Sequence, residues 1–240
     1  MFRIVEMLME MDGARLTDLA NELDLPRSTT HRYLATLLEC GCVVKEGNEY
    51  QLGLKFLDIG GYTRIRKDVY KLVEPKVAKL AERTEERTQF LVEEHGDIIY
   101  IHRATGPQGV GAGSRLGRRM PVNATSAGKV ILAHMPDDEV SDLLDDHEFP
   151  KQTEHTITDR DEFLDELDRV RERGHGFNDQ EYINGLRSVG VPVLHPDGRA
   201  IGAITVSGPT HRLEGDLYRE QLPRTLKGVA NEIELEIAYS

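Results

Sequence analysis

Cysteine is nearly absent from this chain: Cys40 and Cys42 are the two thiols in 240 residues. They stand two residues apart, too close for an ordinary disulfide, and no second pair completes a zinc site, so both read as reduced thiols with a minor structural role. Long apolar runs are lacking too. No stretch approaches the ~18 consecutive apolar residues that would span a bilayer. The opening MFRIVEMLMEMDGAR carries acids where a secretory leader needs an apolar run and a small-residue cleavage site. No membrane partner is expected, and the protein is expected in the cytoplasm. Cations are the third shortage, with 30 Lys and Arg against 42 Asp and Glu, a formal charge of −12. Taken alone, that argues against a phosphate-rich partner, which needs Lys and Arg. Net charge reports on solvation more than on fold, however, so the placement of the few cations matters more. Internal repeats and low-complexity tracts are also missing.

What is present is a chain 39% hydrophobic, too apolar for disorder and too long for one small domain. Residues 1–62 and 63–240 read differently. In the first segment the apolar positions follow a helical period three times: Ile4, Val5, Leu8, Met11; then Leu16, Leu19, Ala20, Leu23; then Thr30, Leu34, Leu37, Leu38. Gly13 and Leu25-Pro26 separate these helices, and Gly41 ends the third. Cys42–Val44 and Glu49–Leu52 flank Gly47-Asn48 as a two-stranded hairpin. Three helices and a ribbon, in that order, predict a winged helix-turn-helix. A linker helix is expected from Leu54 to about Gly61, then a longer helical pattern from about Ile65 to Glu86, kinked or broken at Pro75.

Beyond it, strands are predicted over Thr88–Glu93, Ile98–Ala104, Arg187–Leu194 and Ala200–Ser207. Helices are predicted over Ser126–His134, Asp137–Leu144, Asp159–Arg173 and Asp216–Ala238. Thr158-Asp159-Arg160-Asp161 resembles a capping box at the start of the third of these. Separated helices and strands make the second domain α+β.

The predicted third helix opens PRSTTHRY. With Thr30, Leu34, Leu37 and Leu38 facing inward, Arg27, Ser28, Thr29, His31, Arg32 and Thr36 point outward, on a face free of carboxylate until Glu39. Two arginines and several hydroxyls suit a major groove, where Arg pairs bidentately with guanine and hydroxyls reach phosphate or base edges. The helix N-terminus offers N–H groups to a phosphate. Against this, residues 1–62 hold six cations and ten acids. Dimerisation would double the phosphate contacts and set two recognition helices about one turn of DNA, ~34 Å, apart on a palindrome.

At these residues the chain resembles the isocitrate lyase regulator (IclR) family of transcription factors. LTDLANELDLPRSTTHRYLATLLECGCV is similar to its helix-turn-helix and YQLGLKFLDIG to its wing exit and linker helix. RRMPVNATSAGKVILAH and GHGFNDQEYINGLRSVGVPVLHPDGRAIGAITVSGP are similar to segments of its second domain. The resemblance implies a winged helix joined by a linker helix to a GAF-like α/β effector-binding domain. It implies homodimers or dimers of dimers, double-stranded operator DNA as partner, a small organic acid as effector, and no cofactor. Carried over residue by residue, the effector positions fall on Ser126, Ala127, Asn178, Leu186, Ser188, Thr205 and Ser207, with Ala112 as a further one. Two departures stand out. Ser188 occupies a position where relatives usually carry Cys, and Asn178-Asp179-Gln180-Glu181 replaces a more acidic run. The first helix begins within a few residues of Met1, so an N-terminal arm is expected to be absent or to lie upstream of it.

Read without the resemblance, the same residues are compatible with a carboxylate pocket. Asn123–Lys129 supplies small residues at a helix start, and Thr205 and Ser207 share one face of a strand beside Ser188. Other chemistries fail on spacing. Asn123 and Val130 stand where a phosphate loop needs Gly and Ser or Thr. Gly109, Gly111 and Gly113 miss the dinucleotide fingerprint, and the nine His form no ligand array. Ser207-Gly208 lacks a nucleophile elbow. The rival reading, an enzyme or sensor whose helical domain contacts protein, lacks a paired nucleophile and base. The acids are spread through both segments, which reads as a halophilic, hydrated coat.

Overall fold

The structure, a computed structural model, describes residues 1–110, 115–145 and 147–239. The chain divides after Arg66 into two compact units, the second starting at Lys67. The first unit begins with α1 (Phe2–Glu10), α2 (Leu16–Glu22) and α3 (Arg27–Glu39). The strands β1 (Val43–Glu46) and β2 (Glu49–Leu52) follow, paired antiparallel with Val43 opposite Leu52. Gly47 turns the ribbon at φ 62°, a backbone region open to glycine without a Cβ penalty. Ala14 and Tyr50 exchange backbone hydrogen bonds of 3.1 and 2.8 Å, adding a one-residue third strand to the wing. Ile4, Leu8, Leu19, Leu23, Leu34, Leu37, Val43 and Tyr50 bury one core, so each helix gives its apolar stripe to the same centre. α4 (Lys55–Ile65) ends the unit and buries none of its own residues there.

The second unit starts with α5 (Asp68–Thr84). Then come β3 (Arg87–Glu94), β4 (Asp97–Thr105), β5 (Arg119–Pro121), a 3-10 turn (Val122–Ala124), α6 (Ser126–Leu132), α7 (Asp137–Asp145) and α8 (Arg160–Arg173). β6 (Gly176–Asp179), β7 (Leu186–Leu194), β8 (Ala200–Pro209) and α9 (Leu222–Ala238) complete it. One six-stranded sheet runs in the order β5-β4-β3-β8-β7-β6, and each neighbouring pair is antiparallel. α5 and α9 cover one face around Val73, Val77, Phe90, Val191, Ile204 and Leu226. α6 and α8 cover the other around Leu91, Tyr100, Val130, Phe163 and Val170. Alternate residues of β3 therefore serve opposite cores, Phe90 one and Leu91 the other.

Four details depart from the sequence reading. α5 runs unbroken through Pro75. Pro75 and Lys71, whose carbonyl loses its i+4 donor, are both exposed, so the lost bond lies on the solvent side of the helix and not in the core. The cap of α8 is Asp159, whose side chain accepts from Glu162 N at 2.9 Å, rather than Thr158. β5 and β6 were not anticipated; they are three and four residues long and lie at the sheet edges. The closing helix is preceded by a π-helical turn, Leu217–Gln221.

Candidate functional site

On the first unit, α3 presents Arg27, Ser28, His31 and Arg32 to solvent, while Thr29 and Thr36 are half-buried. Thr30, Leu34 and Leu37 are buried beneath them. The Arg32 guanidinium rests 5.8 Å from the centre of the Tyr33 ring. Thr36 donates its hydroxyl proton to Arg32 O at 3.2 Å, a local bond that holds its side chain back toward the helix. Pro26 precedes the helix and supplies no side-chain cap, so the first turn keeps N–H groups for an external acceptor.

The second unit contains a cavity of about 640 Å³, its open mouth included, between the sheet and the first turn of α6. Arg87, Gln89 and Leu91 of β3 line it, as do Thr205 and Ser207 of β8, Leu186 and Ser188 of β7, Asn178 of β6, and Ser126 and Ala127 of α6. Tyr100, Met120, Tyr182 and Ile183 add apolar wall. Glycine allows α6 to approach so closely. A Cβ at Gly190 would lie 3.0 Å from Ser126 O and 3.2 Å from Ser126 Oγ.

The polar side chains are ordered among themselves. Ser126 Oγ and Ser188 Oγ are 2.8 Å apart. Thr205 donates to Gln89 Oε1 at 2.6 Å, and Gln89 Nε2 donates to Ser207 Oγ at 2.9 Å. Asn178 is held at both ends of its amide, donating to Ala124 O at 3.1 Å and accepting from Glu181 N at 2.9 Å. From the opposite face, Tyr218 donates its hydroxyl to Asn178 O at 3.1 Å. Burial pushes the Tyr218 hydroxyl up, so it stays a donor at every ordinary pH.

The electrostatics run against the charge of the chain. Arg87, Arg118 and Arg187 line the cavity, and no Asp or Glu is among its described lining residues. Arg187 is bound to Asp179 at 2.8 and 3.1 Å, and this partner lowers the Asp179 carboxyl below its usual range. Arg118 is exposed at the mouth, whereas Arg87 is only 5% exposed. Desolvation lowers the Arg87 guanidinium from its ordinary value, yet an arginine remains charged.

Every expected effector position within the described residues lines this one cavity: Ser126, Ala127, Asn178, Leu186, Ser188, Thr205 and Ser207. Ala112 lies outside the described residues. Sequence reasoning missed Arg87 and Gln89. The signal was available, since Arg87, Gln89 and Leu91 alternate with Thr88 and Phe90 at the strand period of two, which puts two polar groups on one face. Lys129, the last residue of the small-residue segment Asn123–Lys129, is buried and paired with Glu181.

A winged helix-turn-helix followed by a curled α+β domain with a polar cavity beside its sheet is the architecture of a transcription regulator with a ligand-binding domain. Residues 1–47 match the IclR helix-turn-helix domain and residues 63–235 match the bacterial transcriptional regulator IclR C-terminal domain; the chain belongs to the IclR family. It is 32% identical to a probable HTH-type transcriptional regulator, ArcR, of Halobacterium salinarum, over 98% of this chain and 90% of that one. Among solved structures, the Thermotoga maritima IclR superposes with TM-score 0.81 at 25% identity, covering 98% of this chain and 96% of that one. The inducer-binding domain of the Acinetobacter PobR transcription factor, a double mutant in complex with 3-hydroxybenzoic acid, superposes with TM-score 0.63 at 27% identity. It covers 68% of this chain and 96% of that one. These relatives are named as regulators, and the chain is a transcription regulator rather than an enzyme. Among the described residues, no helix is long and apolar enough to cross a membrane.

Proposed function

We propose that this protein binds a palindromic operator in the cytoplasm as a homodimer and is switched by a small organic acid held in the cavity of its second unit. Domain roles follow the division read in the sequence: DNA binding in 1–62, effector binding in 63–240. The observation that carries the effector class is the cavity's charge. Arg87, Arg118 and Arg187, the last paired with Asp179, stand around one polar cavity that no described Asp or Glu lines, and a lining of this sign favours an anion. Ser126, Ala127, Asn178, Leu186, Ser188, Thr205 and Ser207 supply hydrogen bonds and wall, with Ala112 as a further candidate. The PobR complex with a hydroxybenzoic acid supports the same class of ligand.

DNA contacts are assigned to Arg27, Ser28, Thr29, His31, Arg32 and Thr36, with the arginines reading bases or gripping phosphates. Support for the dimer comes from α4, on which Leu57, Ile59, Tyr62 and Ile65 are exposed, Tyr62 at 70%. An eleven-residue helix that buries nothing of its own is marginal in water, and a second copy of the unit would cover this apolar surface. It would also set the two α3 helices one DNA turn apart.

Gel-shift titration on upstream palindromic DNA, with and without candidate acids and across salt, tests the proposal. Wild type is expected to bind and Arg32→Ala to bind more weakly, with the complex altered by an acid that binds the second unit. Equal, poor binding by both proteins at every salt concentration would sink it.

A further inference from the structure

Of the six asparagines in the chain, Asn184 alone is followed by glycine. Such a pair is the least hindered setting for attack by a backbone nitrogen on the preceding side-chain amide, because glycine carries no Cβ beside that nitrogen. We propose that Asn184 is a modification site, converted without an enzyme to isoaspartate, and that Gln180 is the brake on its conversion. The inference is independent of what the cavity binds.

The structure separates Asn184 from the other five. Asn123 and Asn178 are buried, and the Asn178 amide is held at both ends, by Ala124 O and Glu181 N. Asn21 and Asn231 lie within α2 and α9, where the helix fixes the peptide unit that follows. Asn48 is exposed in the wing turn, but Glu49 follows it and its side chain crowds the nitrogen. Asn184 is exposed in a turn, and its side-chain amide makes no hydrogen bond among the described residues. A Cβ at Gly185 would meet nothing within 4 Å, so the turn has room to rearrange. Asp12-Gly13 and Asp197-Gly198 can close the same ring, but a carboxylate is the poorer electrophile.

The reaction consumes only water. The Gly185 nitrogen gives its proton to solvent base and bonds to the Asn184 side-chain carbonyl carbon. The C–N bond of the side-chain amide breaks, and ammonia leaves with a proton returned by solvent. Water then opens the cyclic imide at one of its two C–N bonds. Cleavage at the main-chain carbonyl routes the chain through the former side chain as isoaspartate; cleavage at the side-chain carbonyl gives aspartate. Either product adds a negative charge, and isoaspartate adds a carbon to the main chain, between Ile183 and Leu186 of the cavity wall.

Ring closure requires the Asn184–Gly185 peptide unit to rotate until its nitrogen reaches the side-chain carbon. In the fold that unit is held. Leu186 N donates to Ile183 O at 3.2 Å across the turn, and Gly185 sits at φ 80°, as the third residue of a type II turn does. Gly185 O accepts from Thr210 N at 2.9 Å. The attacking nitrogen itself donates to Gln180 Oε1 at 3.1 Å. While that bond is made, the reaction waits for local opening of the turn.

The test incubates the full chain in mildly alkaline buffer, folded and, in parallel, unfolded in urea. Peptide mapping by mass spectrometry locates the conversion of amide to acid, and enzymatic methylation detects isoaspartate. Folded wild type is expected to convert at Asn184 before any other residue, and more slowly than the unfolded chain. Asn184→Ala should remove the isoaspartate from that peptide. Gln180→Ala and Gln180→Met both lack the acceptor oxygen, and Met keeps the length of the side chain. Each is expected to convert about fivefold faster than wild type while folded, the factor that one neutral hydrogen bond is worth. Another residue converting first would overturn the inference, as would an unmodified Asn184 in the folded protein after the unfolded chain is fully converted. A wild-type rate in both Gln180 variants would overturn the brake.

Discussion

Lys129 Nζ lies 2.6 Å from Glu181 Oε2 inside the second unit, with the lysine side chain 2% exposed. The ammonium also donates to Phe177 O at 3.1 Å, and so ties α6 to β6 directly beneath the cavity. Burial pushes the Glu181 carboxyl up, and Lys129 opposes that rise. Removing one partner leaves an unbalanced buried charge, which costs about 3–5 kcal/mol, whereas replacing both with apolar groups is often neutral. Lys129→Met is therefore expected to lower the urea midpoint strongly, and Lys129→Met with Glu181→Met to recover most of the loss. Simple additivity of the two single variants would refute this coupling.

Stability is expected to fall as pH drops below 6.5. Burial lowers His134, His147 and His175 from their ordinary value, so the unfolded chain takes up these protons first. Their contribution is complete above the unfolded value of 6.5 and is lost as pH falls through the lowered folded values. Glu181 acts with the opposite sign, since its raised carboxyl makes stability decline as pH rises above 4.5. Comparison with His134→Gln between pH 7.5 and 5.5 separates the histidine part from the opposing Glu181 part. Urea unfolding at those two values should show the loss, and His134→Gln should show less of it. An equal loss in both proteins would count against the assignment.

Gly190→Ala tests the seat of α6. The new methyl would press on the Ser126 backbone and hydroxyl at 3.0–3.2 Å, displacing the first turn of α6 from the sheet. Overpacking of this kind typically costs about 1–3 kcal/mol. A drop in melting temperature is expected together with weaker acid binding. Unchanged acid affinity would show that the cavity tolerates the shift.

Tyr218→Phe removes one hydroxyl and leaves the ring between Phe177 and Arg187. Asn178 O then loses its 3.1 Å donor. A buried bond of this type contributes about 1 kcal/mol, so a small fall in the urea midpoint is expected. No fall at all would mean that water replaces the phenol.

The acidic surface is expected to make the protein more stable as KCl is added, because salt screens the repulsion of a chain at −12. Unfolding midpoints measured across KCl concentrations check this. A steady decline with salt would argue against a halophilic coat.

The helix-turn-helix was legible because its signals are local. Leu16, Leu19 and Leu23, the Leu25-Pro26 stop and the Gly47 turn each act within a few residues, and the helices and ribbon fall where those signals place them. The grouping of Ser126, Asn178, Ser188, Thr205 and Ser207 around one cavity was legible through the family resemblance, with the period of two placing Thr205 and Ser207 on one strand face. β5 and β6 were not legible. Three or four residues carry too little periodicity, and their hydrogen bonds come from strands distant in the chain. The Lys129–Glu181 pair, 52 residues apart, was invisible for the same reason.

By itself the sequence determined the class of protein, the winged-helix elements and the polar residues available for a ligand, because these follow from side-chain chemistry and short-range periodicity. Only the tertiary structure decided which of those residues meet. The antiparallel register sets Arg87, Ser207, Ser188 and Asn178 in one row across strands far apart in the chain. That register follows from burying Phe90, Val189, Val191, Ile204 and Val206 in a single core, since a slip by one residue would turn every strand's apolar set out of the core.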